Sequence, residues 1–239
     1  MTAPLFLVGS DALVSGTVVV DGDEGRHAAD VRRLRVGEAV LLGDGAGRIG
    51  AGVVSAVSRG SIAVDVASVE TRPKPQPSFA VAQALAKGGR DEDAVEAMTE
   101  VGVDVVVGWQ SARSVAKWSD RTETRWTATA RSAAKQARRA WLPEIVAAVT
   151  TQGLAERVSA ASLAVVLHEA ADRPLAALDL PPDGEVLIVV GPEGGVASEE
   201  LDLLTATGAQ VCRLGRNVLR TSTAGVAAIS VLSAGSRWR

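Results

Sequence analysis

The sequence predicts a two-part α/β protein: a small, mostly β N-terminal domain followed by a larger domain built on a mostly parallel sheet. Three observations predict it. Short apolar or β-branched runs separated by turn residues occupy roughly residues 6–69. A proline-rich stretch, Arg72-Pro73-Lys74-Pro75-Gln76-Pro77, then breaks the pattern. Beyond it, apolar runs alternate with helical segments in a β, α, β rhythm, which is the pattern of a sheet covered on both faces.

In the first part the strand candidates are 13–14, 17–20, 39–42, 53–57 and 62–66. The turns between them are Asp21-Gly22-Asp23, Gly43-Asp44-Gly45 and Arg59-Gly60. Strands this short and this closely spaced suit a small barrel or sandwich. The segment 27–34 is more helical and carries Arg26, Arg32, Arg33 and Arg35 in or beside it. Three prolines at alternate positions favour an extended connector and cannot sit in a central strand. The boundaries follow: a domain over 1–71, a linker over 72–77 and a second domain over 78–239.

In the second part, 78–84 reads as a strand. Residues 91–101 read as a helix, with Asp91, Glu92 and Asp93 favouring its positive N-terminal end. Residues 103–107 form an apolar strand interrupted only by Asp104, and a long helix follows over about 120–140. Further strands are expected at 163–167, 186–190 and 210–213. Two more helices are expected: 198–207, with Ser198 as its N-cap, and 224–234, with Thr221 or Ser222 capping.

Composition narrows the function. At 239 residues, 47% hydrophobic and 22% charged, the chain is an ordinary globular one, not a disordered or fibrous one. A net charge of −3 advertises no polyelectrolyte partner, so any nucleic-acid binding must rest on local patches. The single cysteine, Cys212, excludes an intrachain disulfide, and with two histidines a zinc site is implausible; no metal is expected, and a reducing, cytoplasmic setting is. No stretch approaches the ~20 apolar residues of a membrane span. Residues 1–10 lack the basic run of a signal peptide.

Two segments carry the chemistry. In the first, the buried strand ending at Val190 feeds Gly191-Pro192-Glu193-Gly194-Gly195, with a helix after it. Ligands of open α/β sheets bind beyond the carboxyl ends of strands. A phosphate is a poor fit, since Pro192 lacks a donor and Glu193, Glu199, Glu200 and Asp202 gather negative charge, whereas a cationic ligand is tolerated. A tight turn that needs glycine for backbone reasons alone is the bland alternative. In the second, Leu214-Gly215-Arg216-Asn217-Val218-Leu219-Arg220-Thr221-Ser222-Thr223-Ala224 follows a strand and precedes a helix. Alone it is a helix start; together the two loops line one pocket.

These segments, in this order, resemble the 16S ribosomal RNA (uracil-N3)-methyltransferase family of the SPOUT superfamily. The resemblance extends to Gln83-Ala84-Leu85-Ala86-Lys87-Gly88-Gly89-Arg90, Glu100-Val101-Gly102-Val103, Ser111-Ala112-Arg113-Ser114-Val115, Gln136-Ala137-Arg138-Arg139 with Pro143, and the run from His27 to Glu38. It implies a C-terminal α/β domain with a deep trefoil knot that binds S-adenosylmethionine, a PUA-like RNA-binding β-barrel at the N-terminus, and a homodimer through the C-terminal domain. The activity implied is cytoplasmic methylation of N3 of a specific uridine in 16S rRNA of the small ribosomal subunit. Two positions depart from the family, Ser222 and Lys135, where a glutamate is usual, so no carboxylate role is carried onto either.

The resulting cofactor candidates are Leu167, His168, Gly191, Pro192, Glu193, Gly194, Gly195, Leu214, Gly215, Val218, Leu219 and Thr223. Uracil N3 is a weak nucleophile on the Watson–Crick edge, so the enzyme must reach an unpaired or flipped base and stabilise charge growing on the uracil oxygens. Arginine stays protonated at any working pH, which makes Arg220 or Arg139 the catalytic candidate. RNA contacts are expected from Arg26, Arg32, Arg33, Arg35 and Arg113, and from Arg131, Lys135 and Arg138 on one face of the long helix. Of Trp109, Trp118, Trp126 and Trp141, at most one or two are expected to stack on bases. His27 is read as structural or RNA-facing, and Cys212 as inert. Two other classes stay open: a non-catalytic RNA-binding or ribosome-assembly module, and a methyltransferase of the same superfamily acting on another RNA such as tRNA.

Overall fold

The computed structural model describes residues 3–238; Met1, Thr2 and Arg239, the ends of the two expected domains, lie outside the described residues. The chain divides into two compact units. The first comprises the residues up to 74 together with 134–142, the second 75–133 and the residues from 143 onward.

In the first unit β1 (Leu5–Leu7), β2 (Gly16–Val20), β3 (Ala39–Gly43), β4 (Arg48–Ser58) and β5 (Ser61–Thr71) form a sheet in the order β1-β3-β4-β5-β2. β1 pairs parallel to β3 and the other pairs are antiparallel. A short helix α1 (Gly22–Arg26) runs on into a wider helical turn at His27–Val31. Alternate residues of the strands point inward, so Val18, Val20, Val40, Leu42, Ile62, Val64 and Val66 meet Phe6 and Leu13 in one core. Leu13-Val14 is irregular chain just after a turn rather than the expected strand, yet Leu13 is fully buried. Residues 134–142 join this unit because Trp141 needs burial: its ring lies where a Cβ on Gly47 would sit, and its Nε1 donates to the Arg72 carbonyl at 2.9 Å. Gly47, at φ +101°, is therefore required twice, by conformation and by space.

The second unit contains β6 (Ser78–Ala84), α2 (Arg90–Glu100), β7 (Val105–Trp109), the greater part of α3 (Asp120–Gln136), β8 (Glu144–Val149), α4 (Thr151–Ala160), β9 (Leu163–Leu167), β10 (Glu185–Val190), α5 (Ser198–Ala206), β11 (Gln210–Cys212) and α6 (Thr221–Ala234). The six strands form a wholly parallel sheet in the order β11-β9-β10-β6-β7-β8. β6 shows why both faces are covered. Phe79 and Val81 point into a core shared with Met98, Trp126 and Ile229, while Ala80, Ala82 and Ala84 point into the opposite core with Trp109, Leu154 and Leu204. α2 and α6 approach so closely that a Cβ on Gly225 would collide with the Met98 sulfur.

Several expected boundaries move. α3 ends at Gln136, and Arg138 turns into the left-handed region at φ +54°, so it does not continue the helix face of Arg131 and Lys135. The N-cap of α5 is Ala197 rather than Ser198, its amide held by Glu200 Oε2 at 3.2 Å. α6 begins at Thr221, and Arg220 occupies the cap position without a side-chain cap. β8 and α4 were not expected: β8 is only half-buried, and α4 carries a glycine in its first turn. No helix among the described residues is long and apolar enough to cross a membrane.

One buried ion pair fastens the far end of the chain. Arg237 Nη2 binds Asp104 Oδ2, its Nε donates to the Pro77 carbonyl at 2.9 Å, and its guanidinium lies 4.2 Å from the Phe79 ring centre. Asp104 Oδ2 also accepts the Phe79 amide at 2.9 Å. The charge that interrupts an apolar run is thus matched by one 133 residues away. Arg237→Ala leaves that buried carboxylate without its cation, and urea unfolding should report a loss of about 3–5 kcal/mol. A change within ~1 kcal/mol would show that the clamp contributes little.

Candidate functional site

The strand order places β9 and β10 on one side of β6, and β7 and β8 on the other. Such a change of direction opens a crevice at the carboxyl ends of the strands. In the second unit the loops after β9, β10 and β11 converge there on a cleft of about 510 Å³, within the range of small-molecule sites.

The loop after β10 makes the floor. Gly195 donates its amide to the Pro192 carbonyl at 2.9 Å and has φ +73°, which closes a tight turn that an L side chain would strain. The Gly191 carbonyl accepts the Thr221 hydroxyl at 2.9 Å, and that hydroxyl accepts from Gln83 Nε2 at 2.9 Å. Thr221 therefore ties the start of α6 to the start of the glycine loop instead of capping its own helix. The loop after β9 is fastened to β11: the His168 amide donates to the Cys212 carbonyl, and Arg213 Nη1 donates to the carbonyls of Ala171 at 2.7 Å and Asp172 at 2.6 Å. His168 Nδ1 accepts the Ala170 amide at 3.2 Å, so that ring nitrogen is engaged within the loop.

Of the expected cofactor residues, Leu167, His168, Gly191, Pro192, Glu193, Gly194, Gly195, Leu214, Gly215, Val218 and Leu219 all line the cleft. Thr223 does not; its hydroxyl donates to the Arg220 carbonyl in the first turn of α6. Arg220 lines the cleft, is exposed and has no ion pair among the described residues. Arg139 lies in the first unit, just past the end of α3.

The expected RNA-contacting residues separate into groups. Arg113 lines the cleft, and its Nη1 donates to the Gly194 carbonyl at 2.8 Å. Lys135 is not on an open face: Glu24 holds its ammonium at 2.7 Å, and only 20% of its side chain is exposed. Arg32, Arg33 and Arg35 are exposed and have no ion pair among the described residues, whereas Arg26 is paired with Asp23. Arg33 sits at φ +54°, a conformation costly for a side chain bearing Cβ. Arg131 is exposed on α3. His27 is exposed, its ring 6.1 Å from that of Phe6.

Trp109 and Trp126 are fully buried and unavailable for stacking, Trp118 packs edge-on against Trp126 at 5.1 Å, and Trp141 covers Gly47. Burial pushes the Cys212 thiol up, with the Arg173 charge opposing the shift, which keeps it protonated and inert.

The sequence reading missed Glu169 and Arg213 in the cleft wall. Arg213 was read only as a strand residue; its position immediately after β11 was the available signal. The cleft thus presents three guanidinium groups, Arg113, Arg213 and Arg220. They face two carboxylates, Glu169 and Glu193, the second already paired with Arg90 at 3.1 Å. Apolar surface from Leu167, Val190, Leu214 and Leu219 completes the wall. Such a lining suits a ligand with a flat apolar part and both signs of charge.

Residues 72–233 match the family model of an RNA methyltransferase domain, and residues 20–67 match that of an RNA methyltransferase PUA domain. A ribosomal RNA small subunit methyltransferase E from Mycobacterium bovis is 43% identical over 247 aligned residues, covering all of this chain and 94% of the relative. The protein of the same name from Bacillus subtilis is 30% identical, covering 91% of this chain and 90% of its own length. A methyltransferase structure from Legionella pneumophila, solved with bound S-adenosylmethionine, superposes with a TM-score of 0.86 at 26% identity, over 98% of both chains. By the match along its whole length, this chain belongs to the ribosomal RNA small subunit methyltransferase E family, an RNA methyltransferase domain preceded by a PUA domain.

Proposed function

We propose that this protein methylates N3 of a uridine in the 16S rRNA of the small ribosomal subunit, with S-adenosylmethionine as methyl donor. The observation that carries this reading is the convergence of the Gly191–Gly195 and Leu214–Arg220 loops on one cleft at the strand ends. The lining fits the cofactor. Gly215 has open space where a Cβ would be, so main chain is accessible there. Leu167, Leu214, Val218 and Leu219 offer an apolar bed for the adenine, and the glycine backbone offers groups for the ribose. When bound, S-adenosylmethionine supplies a methyl group made electrophilic by its sulfonium.

The chain's own residues do the rest. An N3 edge is reached only in an unpaired or flipped base, and Arg220, exposed in the cleft, would donate to a uracil oxygen as N3 gives up its proton to water and negative charge grows on the ring oxygens. Arg220 is favoured over Arg139 because its side chain lines the cleft. RNA is held by the Arg32, Arg33 and Arg35 patch, which lies inside the segment matching the PUA domain. The C-terminal domain takes the SPOUT fold with a deep trefoil knot, the N-terminal domain closes as a PUA-like barrel, and the protein acts as a homodimer in the cytoplasm.

The decisive experiment is nucleoside mapping of 16S rRNA from a strain lacking this protein: 3-methyluridine should be lost at one site and return on complementation. An unchanged 3-methyluridine content would refute the assignment. Arg220→Ala should lower the single-turnover rate about 10²–10³-fold with RNA and cofactor affinities changed only modestly; normal turnover at saturating substrates would move the assignment to Arg139. Arg33→Gly should raise stability by about 1 kcal/mol by relieving the left-handed backbone. The same change should reduce the salt slope of RNA binding by about one. A salt slope equal to the wild type's would exclude Arg33 as a phosphate contact.

A further inference from the structure

Among the buried carboxylates of the second unit, Asp91, Asp104 and Glu200, the last lies beside the cleft without lining it. Glu200 lies in the first turn of α5 and is 6% exposed. Its Oε2 accepts the Ala197 amide at 3.2 Å, an ordinary capping contact for a glutamate at that position. Its Oε1 does something that capping does not need. It accepts the Ala112 amide at 2.8 Å and the Thr151 hydroxyl at 2.6 Å, reaching the turn after β7 and the start of α4. The Thr151 oxygen in turn accepts from Nε1 of the buried Trp109 at 3.3 Å.

The turn that Glu200 holds is also braced internally, by Gln110 Nε2 to the Ala116 carbonyl at 3.0 Å and by the Ser111 and Ser114 hydroxyls at 2.9 Å, and at its start by the Gln110 amide to the Val149 carbonyl at 3.0 Å. Next to Ala112 is Arg113, whose Nη1 donates to the Gly194 carbonyl. The Arg113 stem covers the same glycine: a Cβ there would lie 3.4 Å from Arg113 Cβ and 3.5 Å from its Cδ. Besides the Gly191 carbonyl, held by Thr221, the glycine loop is thus held at two further points, the Ala197 amide just past its end and the Gly194 carbonyl in its middle. Both lead back to one carboxylate, directly in the first case and through Arg113 in the second.

We infer that Glu200 is a positioning residue for the cleft, setting the conformation of the glycine loop through the Arg113 turn and thereby the affinity for S-adenosylmethionine. The inference rests on the cofactor reading given under Proposed function. A carboxylate has two acceptor oxygens and three donors to satisfy here; a carboxamide has one acceptor oxygen and would turn its NH₂ toward a donor. Glu200→Gln therefore releases one of the two anchors without removing volume.

Calorimetric titration of the full chain with S-adenosylmethionine tests this, because it reports affinity separately from the fraction of folded sites. Glu200→Gln should keep the wild-type stoichiometry and bind about tenfold more weakly, and Arg113→Ala should lose a similar factor. The double variant should be no more than about twofold worse than the weaker single variant, since both act through one path. Glu199→Gln, an exposed neighbour with the same change of charge, should bind as the wild type does. Wild-type affinity in Glu200→Gln, or a double variant in which the two losses multiply to about a hundredfold, would overturn the inference. Should Glu200→Gln not fold, Arg113→Ala decides alone, with wild-type affinity overturning and a tenfold loss supporting. Absence of binding by the wild-type chain would instead remove the cofactor reading, and this inference with it.

Discussion

A parallel sheet buried on both faces has only its ends to offer a ligand, and that constraint organises the second unit. Every residue of β6 after Ser78 is buried, with side chains alternating between two cores. Helices occupy both faces, so side chains that must meet a solute are confined to the loops beyond the strand termini. Because β11, β9 and β10 are adjacent parallel strands on one side of β6, the loops after them fall side by side at the carboxyl edge.

Loops rich in glycine gain close approach to a ligand at the cost of conformational freedom, so something else must fix them. Here the fixing groups are polar side chains drawn from elsewhere in the sequence. Thr221 and Gln83 hold the Gly191 carbonyl, Arg113 holds the Gly194 carbonyl, and Glu200 holds the Ala197 amide. The loop after β9 is held in the same way by Arg213, through two carbonyls. A hydrogen bond to a main-chain group leaves the fastening side chain indifferent to which residue bears that group, so glycine can occupy these positions without loosening the loop.

Charge is handled locally. With a net charge of −3, the protein pairs some of its cations and leaves others exposed. Lys135 is consumed by Glu24, Arg237 by Asp104 and Arg90 by Glu193, whereas Arg32, Arg33, Arg35 and Arg220 stand exposed without an ion pair among the described residues. A helix-face pattern in the sequence cannot distinguish these cases, because the partner of Lys135 lies 111 residues away.

By itself the sequence determined the α/β class, most strands of the parallel sheet and the two loops that meet in the cleft. Those features are local: alternation, strand length, glycine and proline all act through a few neighbouring residues. Only the tertiary structure decided that α3 stops at Gln136 and that the segment after it packs against Gly47. It alone showed that Asp104 answers to Arg237, that Thr221 serves Gly191 rather than its own helix, and that Glu200 joins three elements. Each of these depends on a contact between residues far apart in the chain, where burial makes an unpaired polar group costly and so selects the one distant partner that can satisfy it.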